Sequence, residues 1–490
     1  MYTLGIDVGS SSVKVSLLKL SDGSCPASAF YPKEEMPMIA VKNGWAEQEP
    51  VQWWENMKSA LKDVLANAKI DKKAIKAIGI SYQMHGLVAL DKDGEVIRPS
   101  IIWSDSRAVE IGDRAFADLG ADYCLSNLLN SPGNFTLSKL KWVKDNEPDK
   151  YARIYKVMLP GDYIAYRLTG KMQTTVSGLT EGIMWDFNKE APASELFKYY
   201  GIDQSLLSDL VDTFSEHAYV SPKVADDLGL PEGIPVSYRA GDQPNNAFSL
   251  NVLEPGEVAA TAGTSGVVYG VSDVLSHDKQ SRVNSFAHVN HSAEKRRIGV
   301  LLCINGTGIL NSWLRKNMGG NIDYVKMNEM ASRASVGSEG VLVYPFGNGA
   351  ERVLGNANPG AEFKGISLNI HNQNHIFRAA QEGIAFSFRY GVDIMNEMNI
   401  ETKVVRVGKA NMFLSPLFRQ TMSNVLNARI ELYDTDGALG AARGAALGAG
   451  LYKSSEEAFD KLKCLEAIEP DGDKLAVNEV YKIWKDNLKF

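Results

Sequence analysis

Two copies of one short device limit what this chain can fold into. Near its start, residues 2–7 and 13–20 are rich in aliphatic and β-branched side chains and are joined by Val8-Gly9-Ser10-Ser11-Ser12. Past the middle, residues 257–261 and 267–271 repeat that pattern around Ala262-Gly263-Thr264-Ser265-Gly266. Each reads as two strands joined at a tip of small polar residues. Such a tip leaves backbone N–H groups and hydroxyls open, the equipment that holds phosphate oxygens. One turn of this kind is ordinary, because Gly and Ser are common turn formers. Two of them, each opening a half of one long chain, predict a duplicated α/β domain with a phosphate hairpin on either side of a cleft. Asp7, at the end of the first strand, stands where it could face a bound cation.

At 490 residues, 44% of them hydrophobic, the chain exceeds the size at which a single core usually stops growing. Two domains are expected, residues 1–253 and 254–490, divided at the turn Leu253-Glu254-Pro255-Gly256. A net charge of -7 argues against a nucleic-acid surface and for small diffusible partners. The cysteines, Cys25, Cys124, Cys303 and Cys464, are widely separated and form no C-x-x-C pair, which disfavours a zinc site or a disulfide framework. The N-terminus enters a strand pattern at once, and no apolar run is long enough to span a membrane. A cytoplasmic enzyme with reduced thiols is expected, and a homodimer is left open.

The carboxylate with the strongest claim to chemistry is Asp242, in Ala240-Gly241-Asp242-Gln243-Pro244-Asn245-Asn246. A short strand at 235–238 precedes it and a helix start at 247–253 follows, which puts Asp242 in a turn. Gly241 lets the backbone bend there, and Pro244 suits a first helical turn. An isolated Asp at such a place is usually only a helix cap. Upstream, the apolar spacing over 48–69 predicts an amphipathic packing helix, and a buried strand over 75–81 runs into Tyr82-Gln83-Met84-His85-Gly86. Ile101-Ile102-Trp103-Ser104-Asp105-Ser106-Arg107 reads as a second strand ending in polar groups. Two strands that deliver polar side chains at their carboxyl ends make a ligand crevice in an open α/β sheet. A sugar suits it, since Trp and Met pack on C–H faces while His, Asp and Gln bind hydroxyls. Residues 108–231 carry no legible chemistry, and Asp162 reads as a cap.

In the second half, strand-like runs lead into Asn305-Gly306-Thr307-Gly308, Pro345-Phe346-Gly347-Asn348, Gly408-Lys409-Ala410-Asn411 and Asp436-Gly437, with a long helix over 376–398. Glycines after strands let a flat ligand such as adenine lie close to the backbone. The tail over 454–490 is charged and amphipathic.

With Asp7-Val8-Gly9-Ser10-Ser11-Ser12-Val13-Lys14, Gln83-Met84-His85-Gly86, Trp103-Ser104-Asp105-Ser106-Arg107, Gly241-Asp242-Gln243 and Gly263-Thr264-Ser265-Gly266 in one order, the chain resembles the FGGY family of carbohydrate kinases. The resemblance implies an actin-like, ribonuclease-H-like two-domain α/β fold, with sugar bound mainly by the N-terminal domain and ATP by the C-terminal one. It implies that Asp242 accepts the proton of the sugar hydroxyl, and that Gln83, Met84, His85, Trp103, Asp105 and Gln243 lie at or near the sugar. Gly9, Ser10, Ser11, Ser12 and Lys14 would face the phosphates, as would Gly263, Thr264, Ser265 and Gly266. Gly308, Gly408, Lys409, Ala410 and Asn411 would serve the nucleotide, with Asp7 and Asp242 at Mg²⁺. The Gln-Met-His-Gly and Trp-x-Asp-x-Arg stretches look most like those of members acting on D-xylulose. Ribulose, gluconate, glycerol or a related polyol is the alternative, and an actin-like ATPase without a sugar a remoter one. Two departures stand out: Gly408-Lys409-Ala410-Asn411 replaces a Gly-Gly-Gly stretch, and Gln243-Pro244-Asn245-Asn246 is partly like glycerol kinases. An aspartate of ordinary pKa, about 3.9, is a weak base for an alcohol, so late proton transfer is expected. Closure about the 253–256 turn would keep water from the phosphate.

Overall fold

The computed structural model describes residues 1–488. The chain divides into two compact units, the first made of Met1–Asn251, Phe286–Ile298 and Thr435–Leu462, the second of Val252–Ser285, Gly299–Asp434 and the described residues from Lys463 onward. The chain thus leaves the first unit at Asn251 and returns to it twice.

A six-stranded sheet builds the first unit: β1 (Tyr2–Val8), β2 (Val13–Lys19), β3 (Ala27–Tyr31), β4 (Ile75–Tyr82), β5 (Phe214–Tyr219) and β6 (Pro235–Gly241), in the spatial order β5-β6-β4-β1-β2-β3. β1, β4 and β6 run parallel, and the β1/β2, β2/β3 and β5/β6 pairs are antiparallel. Nearly every residue of the three parallel strands is buried, as expected for strands covered on both faces. On one face the helix Pro50–Ala68 buries Trp53, Trp54, Met57, Leu61 and Val64. The strand expected around Ile101 is only the two-residue Ser100–Ile101, paired with Glu47–Gln48 outside the main sheet.

The Ala/Gly-rich helix Gly437–Gly448 lies on β1, β4 and β6. It lies so close that a Cβ on Gly5 would run into the Ala438 carbonyl, and one on Gly79 into that of Ala441. Thr3 Oγ1 and Ser237 Oγ donate to the Ala442 and Ala445 carbonyls at 2.8 Å each. A helix of larger side chains could not approach a sheet this closely, so its composition reports packing.

A seven-stranded sheet repeats the plan with β7 (Val258–Ala262), β8 (Gly266–Ser272), β9 (Asn284–Ala287), β10 (Ile298–Ile304), β11 (Val404–Gly408), β12 (Arg429–Tyr433) and β13 (Cys464–Ile468), ordered β9-β10-β8-β7-β11-β12-β13. β7/β8 is an antiparallel hairpin like β1/β2. β7, β11 and β12 run parallel like β1, β4 and β6, and β12/β13 is antiparallel like β6/β5. The duplication read from the two hairpins is therefore present in the topology. Its core is crossed by the helix Gln373–Glu397, capped by Asn372 and burying Phe377, Ile384, Phe388 and Met395. The tail helix Lys474–Asp486 sends Trp484 into the same core, where its Nε1 donates to the Val343 carbonyl at 2.9 Å and its ring stacks on Tyr344. Among the described residues no helix is long and apolar enough to cross a membrane.

Gly5→Ala should force the helix Gly437–Gly448 off the sheet and lower unfolding stability by about 2 kcal/mol or more, measured by urea denaturation.

Candidate active site

Strand register decides what meets at the carboxyl edge of the first sheet. Asp7 pairs with Ser81 and Val8 with Tyr82, while Ser81 pairs on its other side with Ala240 and Tyr82 with Gly241. Three parallel strands therefore end on one row. The Gly9–Ser12 turn, Gln83-Met84-His85 and Asp242-Gln243 follow them side by side, at the edge where open parallel sheets bind ligands.

Asp242 is the first residue of the helix Asp242–Ser249, with Gly241 as its N-cap, so it is not the capping residue. Gly241 has an ordinary backbone conformation (φ -56°, ψ 154°). The reason for glycine is different from the expected bend: the Met84 side chain occupies the space a Cβ would need, its Cγ 2.6 Å from that position. Asp242 keeps some exposed surface, yet burial, and then the nearby Asp7 carboxylate, push its carboxyl up to about 7. It is accordingly a better proton acceptor than an aspartate of ordinary pKa. Asp7 is raised as well, first by burial and then by Asp436, against hydrogen bonding from Ser81 and the charge of Lys14. Lys14 Nζ pairs with Asp436 at 2.6 Å, and Asp436 caps the helix Gly437–Gly448 through the Leu439 N–H. Among the described residues no group of three or more His, Cys, Asp or Glu side chains is arranged to hold a metal.

The first turn closes on itself through the Gly9 N–H and the Ser12 carbonyl (3.0 Å). Gln48 braces it: its Nε2 donates to the Ser10 carbonyl at 2.7 Å, and its Oε1 accepts from Gln83 Nε2 and Trp53 Nε1. Ser11 is exposed, while Ser10 and Ser12 are half-buried. Gln83 and Met84 are buried, Trp103 is 50% exposed, and Gln243 is half-buried with its Oε1 unpartnered. Asp105 is fully buried, and its carboxylate accepts from the Ala46 N–H (2.6 Å) and from Arg107 Nε and Nη2. Arg107 stacks on Trp45 and pairs with Glu47, which also pairs with Arg98. These partners make Asp105 part of a buried ion cluster that holds the Trp103 turn. Asn245, within the glycerol-kinase-like stretch, donates from Nδ2 to the Gly437 carbonyl at 2.9 Å. That residue links two helices.

Two residues passed over in the sequence hold His85. Glu181, the last residue of the helix Val176–Glu181, accepts the His85 N–H on Oε2 at 3.1 Å. Lys139, fully buried, donates to the His85 carbonyl at 2.8 Å and to the Ile102 carbonyl at 3.0 Å. His85 has φ +61°, a conformation that costs of order 1 kcal/mol or more for a residue other than glycine and persists only where surroundings impose it. No local motif marks either residue, because both reach His85 from helices distant in sequence. Asp162 is not the capping residue expected: it is the third residue of the helix Pro160–Thr169, whose N-cap is Leu159, and from there it accepts the Leu159 N–H and pairs with the buried Arg239 at 3.1 Å.

In the second unit the Gly263–Gly266 turn, the Thr307–Gly308 helix start and Asn411 come together. The Gly308 N–H and Thr307 Oγ1 donate to the Gly263 carbonyl at 2.8 and 2.9 Å, and Asn411 Nδ2 lies 3.4 Å from where a Cβ on Gly263 would be. Thr264 and Ser265 are exposed, and Gly266 is buried against Phe388 and Thr307. Gly408 ends β11, the Lys409 N–H donates to the Tyr433 carbonyl, and Lys409 and Ala410 are exposed. Beside them a cavity of about 330 Å³ is lined by Gly306, Ile309, Trp313, Pro345, Gly347 and Phe363.

Duplicated α/β units, each headed by a hairpin with an open small-residue turn, and an acid of raised proton affinity at a parallel sheet edge define a phosphate-handling enzyme of the two-domain actin-like class. Residues 2–249 match the N-terminal domain of the FGGY family of carbohydrate kinases and residues 258–451 match its C-terminal domain. The chain belongs to the FGGY family of carbohydrate kinases, whose members use ATP as phosphoryl donor. It is 30% identical to a xylulose kinase of Haemophilus influenzae over 88% of this chain and 86% of that one. To a xylulose kinase of Bacillus subtilis it is 28% identical, over 94% and 91%. The fold matches a xylulose kinase crystal structure from Brucella ovis with a TM-score of 0.90 at 24% identity, covering 100% and 99% of the two chains. It also matches Plasmodium falciparum glycerol kinase with ADP, with a TM-score of 0.88 at 21% identity, covering 99% and 97%.

Burial lowers the Lys139 ammonium to about 7. The unfolded chain, with an ordinary lysine near 10.4, then binds more protons than the native one between these values, so this residue's contribution to stability grows as pH rises. Urea unfolding from pH 7 to 10 should show wild type gaining on Lys139→Met by up to about 1.4 kcal/mol per pH unit.

Proposed function

We propose that this kinase transfers the γ-phosphoryl group of ATP to a hydroxyl of a ketopentose, converting D-xylulose to D-xylulose 5-phosphate. The observation that carries the reading is the row in which Gln83-Met84-His85 stands beside Asp242. The naming of full-length relatives as xylulose kinases supports the same substrate. Met84 and Trp103 offer apolar surface to sugar C–H faces, and His85 and Gln243 offer groups for its hydroxyls. Asp242 takes the hydroxyl proton as that oxygen bonds to the γ-phosphorus, and the bond to the β-phosphate oxygen breaks with its electron pair leaving on ADP. Phosphoryl transfer asks the protein mainly for positioning and charge neutralisation.

Gly9 to Ser12 and Lys14 in the first unit, and Gly263 to Gly266 in the second, serve the phosphates. Gly308 and Gly408 to Asn411 serve the nucleotide, whose base suits the apolar cavity beside Trp313. Asp7 and Asp242 would hold Mg²⁺: the Asp7 carboxylate opposes ionisation of Asp242, a conflict that a cation relieves. Mg²⁺ commonly takes only one or two protein carboxylates and completes its shell with water and phosphate. When bound it neutralises charge on the transferring phosphates. The widely spaced cysteines support a reducing, cytoplasmic setting.

The test is ADP release with D-xylulose, D-ribulose, gluconate and glycerol. D-Xylulose should give the highest kcat/KM, and equal or better turnover of glycerol would overturn the substrate assignment. Asp242→Asn, which keeps size and loses charge, should lower kcat with D-xylulose by about 10³-fold, whereas a fully active variant would remove Asp242 from the chemistry.

A further inference from the structure

His85 is gripped from several directions by one short helix. At the end of Val176–Glu181, the Glu181 side chain takes the His85 N–H, and the Glu181 main-chain carbonyl meets His85 Nδ1 at 2.8 Å. A carbonyl can only accept, so Nδ1 is the nitrogen that carries the hydrogen in the neutral ring. The same helix binds the chain across from it. Ser177 Oγ donates to the Ala287 carbonyl and Thr180 Oγ1 accepts the Ala287 N–H, each at 3.0 Å. Those bonds hold the Phe286 ring 5.4 Å from His85, with Phe135 at 4.9 Å on another side. Glu181 is itself 1% exposed, faces the Tyr82 hydroxyl, and has Oε1 without a hydrogen-bond partner. A carboxyl this deep is an unusual choice for a purely structural brace, because burial disfavours its charge.

We propose that Glu181 is a positioning residue for the sugar, holding His85 in its left-handed backbone conformation so that the imidazole presents one fixed tautomer and one orientation to a substrate hydroxyl. Burial holds the Glu181 carboxyl well above the usual carboxylate range, so an amide should replace it. The inference rests on the sugar-kinase reading above, and the substrate for its test is whichever sugar the unmutated protein phosphorylates best.

Glu181→Ala should raise KM for that sugar by about tenfold or more and leave KM for ATP within about twofold, because one buried hydrogen bond to the His85 turn is lost. Glu181→Gln, whose amide oxygen still accepts the His85 N–H, should return KM to within about threefold of wild type. On a His85→Ala background, Glu181→Ala should add less than about twofold, since both act through one group. An alanine variant that melts like wild type and keeps its sugar KM overturns the proposal, as do equal losses for sugar and ATP, or additive effects in the cycle. Amide hydrogen exchange of the unmutated, ligand-free protein gives a separate readout that needs no variant to fold and no turnover. Strong protection at His85 is expected, and exchange at the rate of an exposed loop would overturn the proposal. Failure of every sugar would instead overturn the kinase reading and leave that exchange result to decide the Glu181–His85 link.

Discussion

Main-chain carbonyls of the helix Gly437–Gly448 sit where side chains on Gly5 and Gly79 would be, and much of the first unit follows from that approach. It covers the central strands β1, β4 and β6 with a helix drawn from the far end of the sequence. It also sets the helix N-terminus at the end of β1, where a Cβ on Gly437 would strike the Asp7 carboxylate. The positive end of a helix beside an acid is favourable, and here Asp436 occupies the cap while Lys14 answers it. Asn245 reaches the same helix from behind Asp242. The two acids of the candidate site are thus supported from one element that neither adjoins in sequence.

The charges around the sheet edge are kept in balance by unequal environments. Asp7 and Asp242 are raised by burial and by nearby carboxylates, which leaves each with a strong affinity for a proton or a cation. Lys139 is lowered by the same physics, and its amine finds two carbonyls to bind. Behind them, Arg239 pairs with Asp162 and donates from Nε to His217 Nδ1, while burial lowers His217 to about 3 and keeps it neutral. Buried pairs of this kind add little net stability, since desolvation offsets attraction, but removing one partner is costly. Their consequence is geometric: Arg239 near the end of β6 is tied to Asp162, and the turn after β4 is tied to Lys139 through the His85 carbonyl.

The second unit uses the same strand order for a different lining. Where the first offers acids, Gln83, Met84 and His85, the second offers Gly263, Thr307, Gly308 and Asn411 around a turn, with an apolar cavity nearby. A duplicated frame has diverged into a polar, carboxylate-bearing edge and a glycine-lined one. The Lys474–Asp486 helix then fills the second core with Trp484, a role that the charged composition of the tail concealed.

Periodicity and turn chemistry were enough to reveal the paired hairpins, the helix Pro50–Ala68, the long helix Gln373–Glu397, the strand before His85 and the isolation of Asp242 at a strand-to-helix junction. These are local, and a strand or an amphipathic helix is written in the spacing of neighbouring residues. Only tertiary structure decided that Gly241 makes room for Met84, that Asp105 is bound by Arg107 in a buried cluster, and that the run through Ile101 stands outside the main sheet. It alone carried residues 435–462 back into the first unit and brought Glu181 and Lys139 to His85. The physical reason is range. A buried charge or a glycine contact is determined by which distant backbone arrives beside it, and nothing within a few residues along the chain encodes that arrival.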